Sequence, residues 1–269
     1  MDSATEAPTE TSTTIAPLIE LENVHKSFGD FKVLDGVDLK IYPKETLVII
    51  GQSGTGKSVT LKHIVGLLAP ESGRVHVFGE DLGELNSLQI EKLRLRIGYL
   101  FQSGALLNWM TIADNVALPL QEHEQGMPAE KIKKRVLEKL RLVNMEHAAD
   151  KYPAEVSGGM KKRGGLARAI VLEPEIVLYD EPTSGLDPVI AATIDELVIR
   201  TRDALGVTQV VVTHDMESAY RIADRIAMLY HGKIVAIGSP DEIRRHQDPL
   251  VQQFINGRSQ GPITNRDQL

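Results

Sequence analysis

Cysteine is absent from the 269 residues of this chain, which excludes disulfides and thiolate-held metals and fits a reducing, cytoplasmic setting. Aromatic residues are scarce, with a single tryptophan. No apolar run reaches the roughly 18–20 residues that a membrane-spanning helix needs; "TLVIIG" has the length of a buried strand. Any membrane role must therefore come through a partner. The start lacks a basic residue followed by an apolar segment, so no signal peptide is read there. Basic residues are outnumbered, 30 Lys plus Arg against 37 Asp plus Glu, and the net charge of −7 disfavours nucleic acid as a partner. There is no internal repeat, and low-complexity sequence is confined to the ends.

Alternating strand and helix patterns predict an α/β fold of one large domain, residues 18–255. Residues 1–17, rich in Thr, Ser, Pro and Glu, are expected to be a disordered tail, and 256–269, "NGRSQGPITNRDQL", a loose polar one. The strands "LIELENVHKSF" and "KVLDGVDLKI" flank a turn at Gly29 and Asp30, and "TLVII" runs into a glycine loop. A turn is expected at Ser72 and Gly73. Between about 104 and 170 the pattern turns helical, as an inserted subdomain. There "PAEKIKKRVLEKLRLV" starts with Pro128 at the first helical position and carries Ile132, Val136, Leu137 and Leu140 on one face. Strand and helix then alternate again, ending in the hairpin-like "RIAMLYHGKIVAIG".

"GQSGTGKS", Gly51, Gln52, Ser53, Gly54, Thr55, Gly56, Lys57 and Ser58, has full P-loop spacing, followed by Val59 in the helix. Successive backbone N–H groups there can wrap phosphate oxygens, Lys57 can reach the outer phosphates, and Ser58 can ligate Mg²⁺. By chance this pattern arises in about one chain in a hundred, so nucleoside triphosphate binding is the strong reading. No Asn-Lys-x-Asp guanine selector is present. "IVLYDEP" ends an apolar strand with Asp180, a candidate metal ligand, and Glu181, a candidate base that activates water, provided a turn brings both to the phosphate. "VVVTHD" places His214 at another strand end, where a core histidine or a helix cap is the competing explanation. Gln102 ends "IGYLFQ" and, being neutral, could touch Mg²⁺ or water. A second glycine loop, "VSGGM", offers Ser157, Gly158 and Gly159 as an anion site without a lysine of its own. An incomplete site suggests one shared between two copies of the chain.

This ordered set, with "SGLD" at 184–187, resembles the ATPase subunit of ABC transporters over roughly residues 18–245. The resemblance implies a P-loop NTPase with a RecA-like core, an antiparallel β subdomain and the inserted helical subdomain. It implies ATP and Mg²⁺ as cofactors, a homodimer closed over two ATP molecules, Phe28 stacked on adenine, and a loop from Ser184 to Asp187 that couples the two sites. Met160 departs from the Gln usual in the family, and Gly164 interrupts a helix, which suggests tight packing there. Lys161, Lys162 and Arg163 read most simply as a solvated helix face.

More narrowly, "FQSGALLNWMTIADNVALPL" with "VSGGM" is similar to the ATPases of Mla/Mce-type phospholipid transport. That implies an inner-membrane permease, a lipid-carrying Mce-domain protein and room for a small soluble subunit as partners, with this chain on the cytoplasmic face of the inner membrane. Another ABC importer or exporter is the rival within the class. A soluble ABC ATPase of DNA repair or chromosome organisation would carry coiled coils or a basic face, and a P-loop kinase would leave "VSGGM" and "SGLD" without a role.

Overall fold

A computed structural model describes residues 15–266. Most of the expected N-terminal tail, residues 1–14, lies outside the described residues, as do 267–269. The strands are β1 (Ile19–Phe28), β2 (Phe31–Ile41), β3 (Thr46–Ile50), β4 (Ser72–Val77), β5 (Glu80–Asp81), β6 (Ile97–Leu100), β7 (Ile176–Asp180), β8 (Thr208–Thr213), β9 (Arg225–Tyr230) and β10 (Lys233–Gly238). The helices are α1 (Lys57–Ile64), α2 (Ser87–Arg94), α3 (Ile112–His123), α4 (Ala129–Leu142), α5 (Gly158–Ala169), α6 (Pro188–Leu205), α7 (Met216–Ile222), α8 (Pro240–Arg244), α9 (Pro249–Ile255) and α10 (Pro262–Arg266).

Two sheets form. The first is antiparallel, in the order β2-β1-β4-β5. The second runs β10-β9-β3-β8-β7-β6; β9, β3, β8, β7 and β6 are parallel, and β10 closes one edge antiparallel to β9. Every residue of β3, β7 and β8 is buried, as parallel strands covered on both faces require. Their side chains alternate between two cores. Val48, Ile50, Val177, Tyr179 and Val211 face the side covered by the helices α3 to α7, while Leu47, Ile49, Ile176, Leu178, Val210 and Val212 face α1 and the antiparallel sheet.

The parallel ladder puts the C-terminal ends of β3, β6, β7 and β8 side by side, the place where open parallel sheets gather ligand-binding residues. Helices α3, α4 and α5 pack on one another above β6. Buried Asn115 of α3 accepts from Leu107 N and donates to the carbonyls of Leu107, Met110 and Thr111, pinning the preceding loop.

Several expectations need correction. Pro128 caps α4 rather than opening it. Ser72 and Gly73 lie in β4 instead of a turn, with Gly73 at φ 86° close against the Glu22 and Asn23 carbonyls. The end of the chain is not uniformly loose. Residues 262–266 form α10, and Ile263 is buried against α9, because Gln253 accepts a bond from Ile263 N and donates to Thr264 Oγ1.

Candidate active site

The loop after β3 turns at Gly51, whose φ of 155° brings its backbone so close that an added Cβ would sit 2.3 Å from the Leu229 carbonyl oxygen. Gly56, at φ 102°, caps α1 and presses against Val33 and Leu34. No side chain caps α1, the kind of helix start whose first N–H groups can take an anion. Lys57, 5% exposed, donates through Nζ to the carbonyls of Gly51 and Gln52 at 2.8 and 2.9 Å. The same ammonium lies 3.4 Å from Glu181 Oε1.

Both acids stand at the end of β7. Asp180 Oδ1 accepts from Ser58 Oγ at 2.6 Å, and its Oδ2 accepts from Tyr99 OH at 3.2 Å. Burial and the adjacent Asp180 carboxylate push the Tyr99 phenol above its usual pKa. The required turn starts at Glu181, which adopts φ 49° and receives Ser184 N on its carbonyl at 3.2 Å. His214, at the end of β8, meets Glu181 Oε2 through Nδ1 at 2.9 Å. It is neither a core histidine nor the cap of α7, a role taken by Asp215, which accepts from Glu217 N and Ser218 N.

Lys57, Ser58, Glu181 and His214 line one cleft of about 340 Å³ with Ser53, Gly54, Gly56, Val59, Gln102 and Phe28, and Asp180 stands behind it on Ser58. Gln102 is exposed and donates to Ser184 Oγ at 3.3 Å. Phe28 is 51% exposed at the rim, with Lys26 Nζ 5.7 Å from its ring centre. Gln52 and Thr55 line the other flank of the loop, in a cavity of about 700 Å³. That cavity is larger, yet it lacks Lys57, Glu181 and His214, which come together in the smaller cleft.

The second glycine loop does not reach this cleft within the chain. Ser157 caps α5 by accepting from Met160 N, and Gly158 and Gly159 lie against Leu186 and Ile190. Asp187 caps α6, accepting from Val189 N and Ile190 N. Met160 packs against the apolar core.

Two neighbours of the site were not read from the sequence. Tyr99 is one. The other is Lys162, which is 5% exposed and donates to the carbonyls of Glu181 and Ser184, in place of the expected solvated face. Its signal was spacing: Gly159, Lys162 and Leu166 follow one another at three and four residues along the buried stripe of α5.

The profile of the family described as ABC transporter matches residues 34–184, more than half of the chain. This chain belongs to the ABC transporter family. It is 42% identical over 245 residues to the probable ribonucleotide transport ATP-binding protein mkl of Mycobacterium leprae, covering 91% of this chain and 70% of that protein. It is 39% identical over 252 residues to the intermembrane phospholipid transport system ATP-binding protein MlaF of Escherichia coli K12, covering 94% and 93%. Among solved structures, a dimeric ATP-binding cassette in a post-hydrolysis state with ADP and Pi superposes with a TM-score of 0.76 at 34% identity, over 82% of this chain and 98% of that one. The cbiO1 structure from Clostridium perfringens, part of an ABC transporter complex, gives 0.79 at 28% identity over 94% and 100%. This member of the ABC transporter family is thus an ATP-binding, ATP-hydrolysing transport subunit with the P-loop NTPase fold of those cassettes.

Proposed function

We propose that this ABC ATPase drives phospholipid transport of the Mla type, working as a homodimer beneath an inner-membrane permease with an Mce-domain lipid carrier. The observation that carries the lipid reading is the match to MlaF along 93% of that protein's length, against 70% for the more identical mkl protein of Mycobacterium leprae. The ribonucleotide cargo in mkl's name is the second reading, favoured by its 42% identity. Among the described residues no helix is long and apolar enough to cross a membrane, which supports peripheral attachment through the permease at the cytoplasmic face. In this reading residues 18–255 form the ATPase unit, with the helices of about 104–170 gripping the permease.

Among the described residues no cluster of three or more His, Cys, Asp or Glu could hold a metal by itself. Ser58 and Asp180, with Gln102 beside them, supply few protein ligands, a set that fits Mg²⁺ shared with phosphate oxygens and water. Bound there, Mg²⁺ would neutralise charge developing on the phosphates. Lys57 takes the outer phosphates, and leaving Glu181 Oε1 to do so releases that oxygen to accept a proton from the attacking water. His214 holds the other carboxylate oxygen and so aims Glu181. Phe28 offers its exposed ring to adenine. Ser157, Gly158 and Gly159 of a second copy, with its Asp187 loop, close over the nucleotide bound at Gly51–Val59, which explains a glycine loop that finds no phosphate partner in its own chain.

The test is affinity purification from the native host with and without Glu181→Gln. An Mce-domain protein and permease should copurify, turnover should fall by about 10²–10⁴-fold as loss of a positioned base does, and ATP-bound dimers should accumulate in size-exclusion chromatography. Copurification of a different permease overturns the lipid cargo; unchanged turnover overturns Glu181 as the base.

A further inference from the structure

Lys162 is a lysine buried where burial is costly. Its helix, α5, belongs to the layer above β6, yet its ammonium reaches across to the turn after β7, donating to Ser184 O at 2.6 Å and Glu181 O at 3.1 Å. Those carbonyls mark the two ends of one turn, which is itself closed by Ser184 N on Glu181 O. Glu181 holds φ 49°, a conformation that side-chain-bearing residues rarely adopt and that persists only when its surroundings enforce it. A single cation on two carbonyls is such an enforcement, and the residue it holds at the start of the turn is the one whose carboxylate meets Lys57 and His214.

The same helix grips the loop that carries Gln102. Gly104 lies so close to α5 that an added Cβ would stand 2.7 Å from the Lys161 carbonyl oxygen, and Arg168 donates to Gly104 O at 3.1 Å. Ser184 is therefore held twice, through its carbonyl by Lys162 and through its hydroxyl by Gln102. A shift of α5 cannot leave the turn where it is. Burial also pushes the Lys162 amine down to about 8, with the Glu181 carboxylate opposing, so the helix carries this group at a cost.

We propose that Lys162 is a positioning residue for hydrolysis, transmitting the placement of α5 to the Glu181 carboxylate within one chain. This rests on the reading of Glu181 as the base. The chemistry predicts a split between binding and turnover, because Lys162 lines neither the phosphate loop nor the cleft.

The experiment measures ATPase kinetics of the full-length chain in complex with its copurifying membrane subunits, as wild type, Lys162→Met and Lys162→Arg. Met keeps the length and removes every donor; Arg keeps charge and donors. Lys162→Met should lower kcat by about 10–100-fold, the scale of a roughly 1 Å misplacement, with KM for ATP and thermal midpoint within about two-fold and a few degrees of wild type. Lys162→Arg should recover most of kcat. A kcat for Lys162→Met within about three-fold of wild type overturns the proposal, and so does a joint loss of kcat, ATP affinity and thermal midpoint that Lys162→Arg does not rescue. Single-turnover measurements then separate this from the underlying reading. Adding Lys162→Met to Glu181→Gln should cost nothing more; a further tenfold loss overturns action through Glu181. Full turnover by Glu181→Gln alone overturns the base assignment, and the proposal with it.

Discussion

Lys162 shows how a burial decision at one residue becomes measurable. Its pKa in the folded chain lies near 8, below the usual lysine range, because burial penalises the charged form more than the facing Glu181 carboxylate favours it. Below pH 8 the amine is charged in both folded and unfolded chains, and the full burial cost is present. Between pH 8 and the ordinary lysine value the unfolded chain binds more protons, so stability contributed by this group rises with pH. Chemical denaturation at pH 7.5 and 9.5 should therefore show wild type gaining stability relative to Lys162→Met at the higher pH. A constant difference would place the titration elsewhere. Glu181 works at the same scale through its backbone, where φ 49° costs roughly 1–3 kcal/mol that the surrounding hydrogen bonds offset.

At the scale of elements, α5 is where small residues decide packing. Gly164, expected to mark tight packing, does so against side chains: a Cβ there would meet Leu106 Cδ1 at 3.3 Å and the Ile112 methyl groups at 3.5–3.6 Å, groups that can shift by a few tenths of an ångström. The approach against backbone is one residue later and closer. A Cβ on Gly165 would lie 2.7 Å from the Gly104 carbonyl oxygen, backbone that cannot step aside without moving the loop that carries Gln102. Gly164→Ala should gain about 0.5–1 kcal/mol from helix propensity, and Gly165→Ala should lose about 1–3 kcal/mol to overpacking. Thermal melts of the two variants should move in opposite directions.

For the whole molecule, the C-terminal segment acts as a closing strap on α9. Ile263 is 5% exposed, and the Gln253 amide bonds Ile263 N, Thr264 Oγ1 and Arg258 O. Deleting residues 258–269 should uncover α9, open the Gln253 amide to water and remove the buried Ile263 side chain, whose burial contributes about 1.5–3 kcal/mol. A calorimetric midpoint lowered by several degrees, with ATP affinity retained, is the expected result; an unchanged midpoint would make the segment dispensable.

Much of the fold could be read from local pattern, because the apolar runs of β3, β7 and β8 are buried on both faces and the glycine spacing at Gly51–Ser58 admits few other conformations. The approach of Lys57, Asp180, Glu181 and His214 was legible for the same reason: each stands at a strand end or helix start, and parallel strands bring those ends together. Lys162, Tyr99 and the contrast between Gly164 and Gly165 were not legible. Their roles depend on distances between elements far apart in the chain, and a lysine in a basic run looks the same whether water or two carbonyls surround it. Sequence alone determined the phosphate loop, the strand-end acids and the ATPase family, since these follow from residue type and short-range spacing. Tertiary structure alone decided which helix holds the Glu181 turn, where α5 lies flush against the Gln102 loop, and that the chain's end folds back, since each is a contact made only once the core has closed.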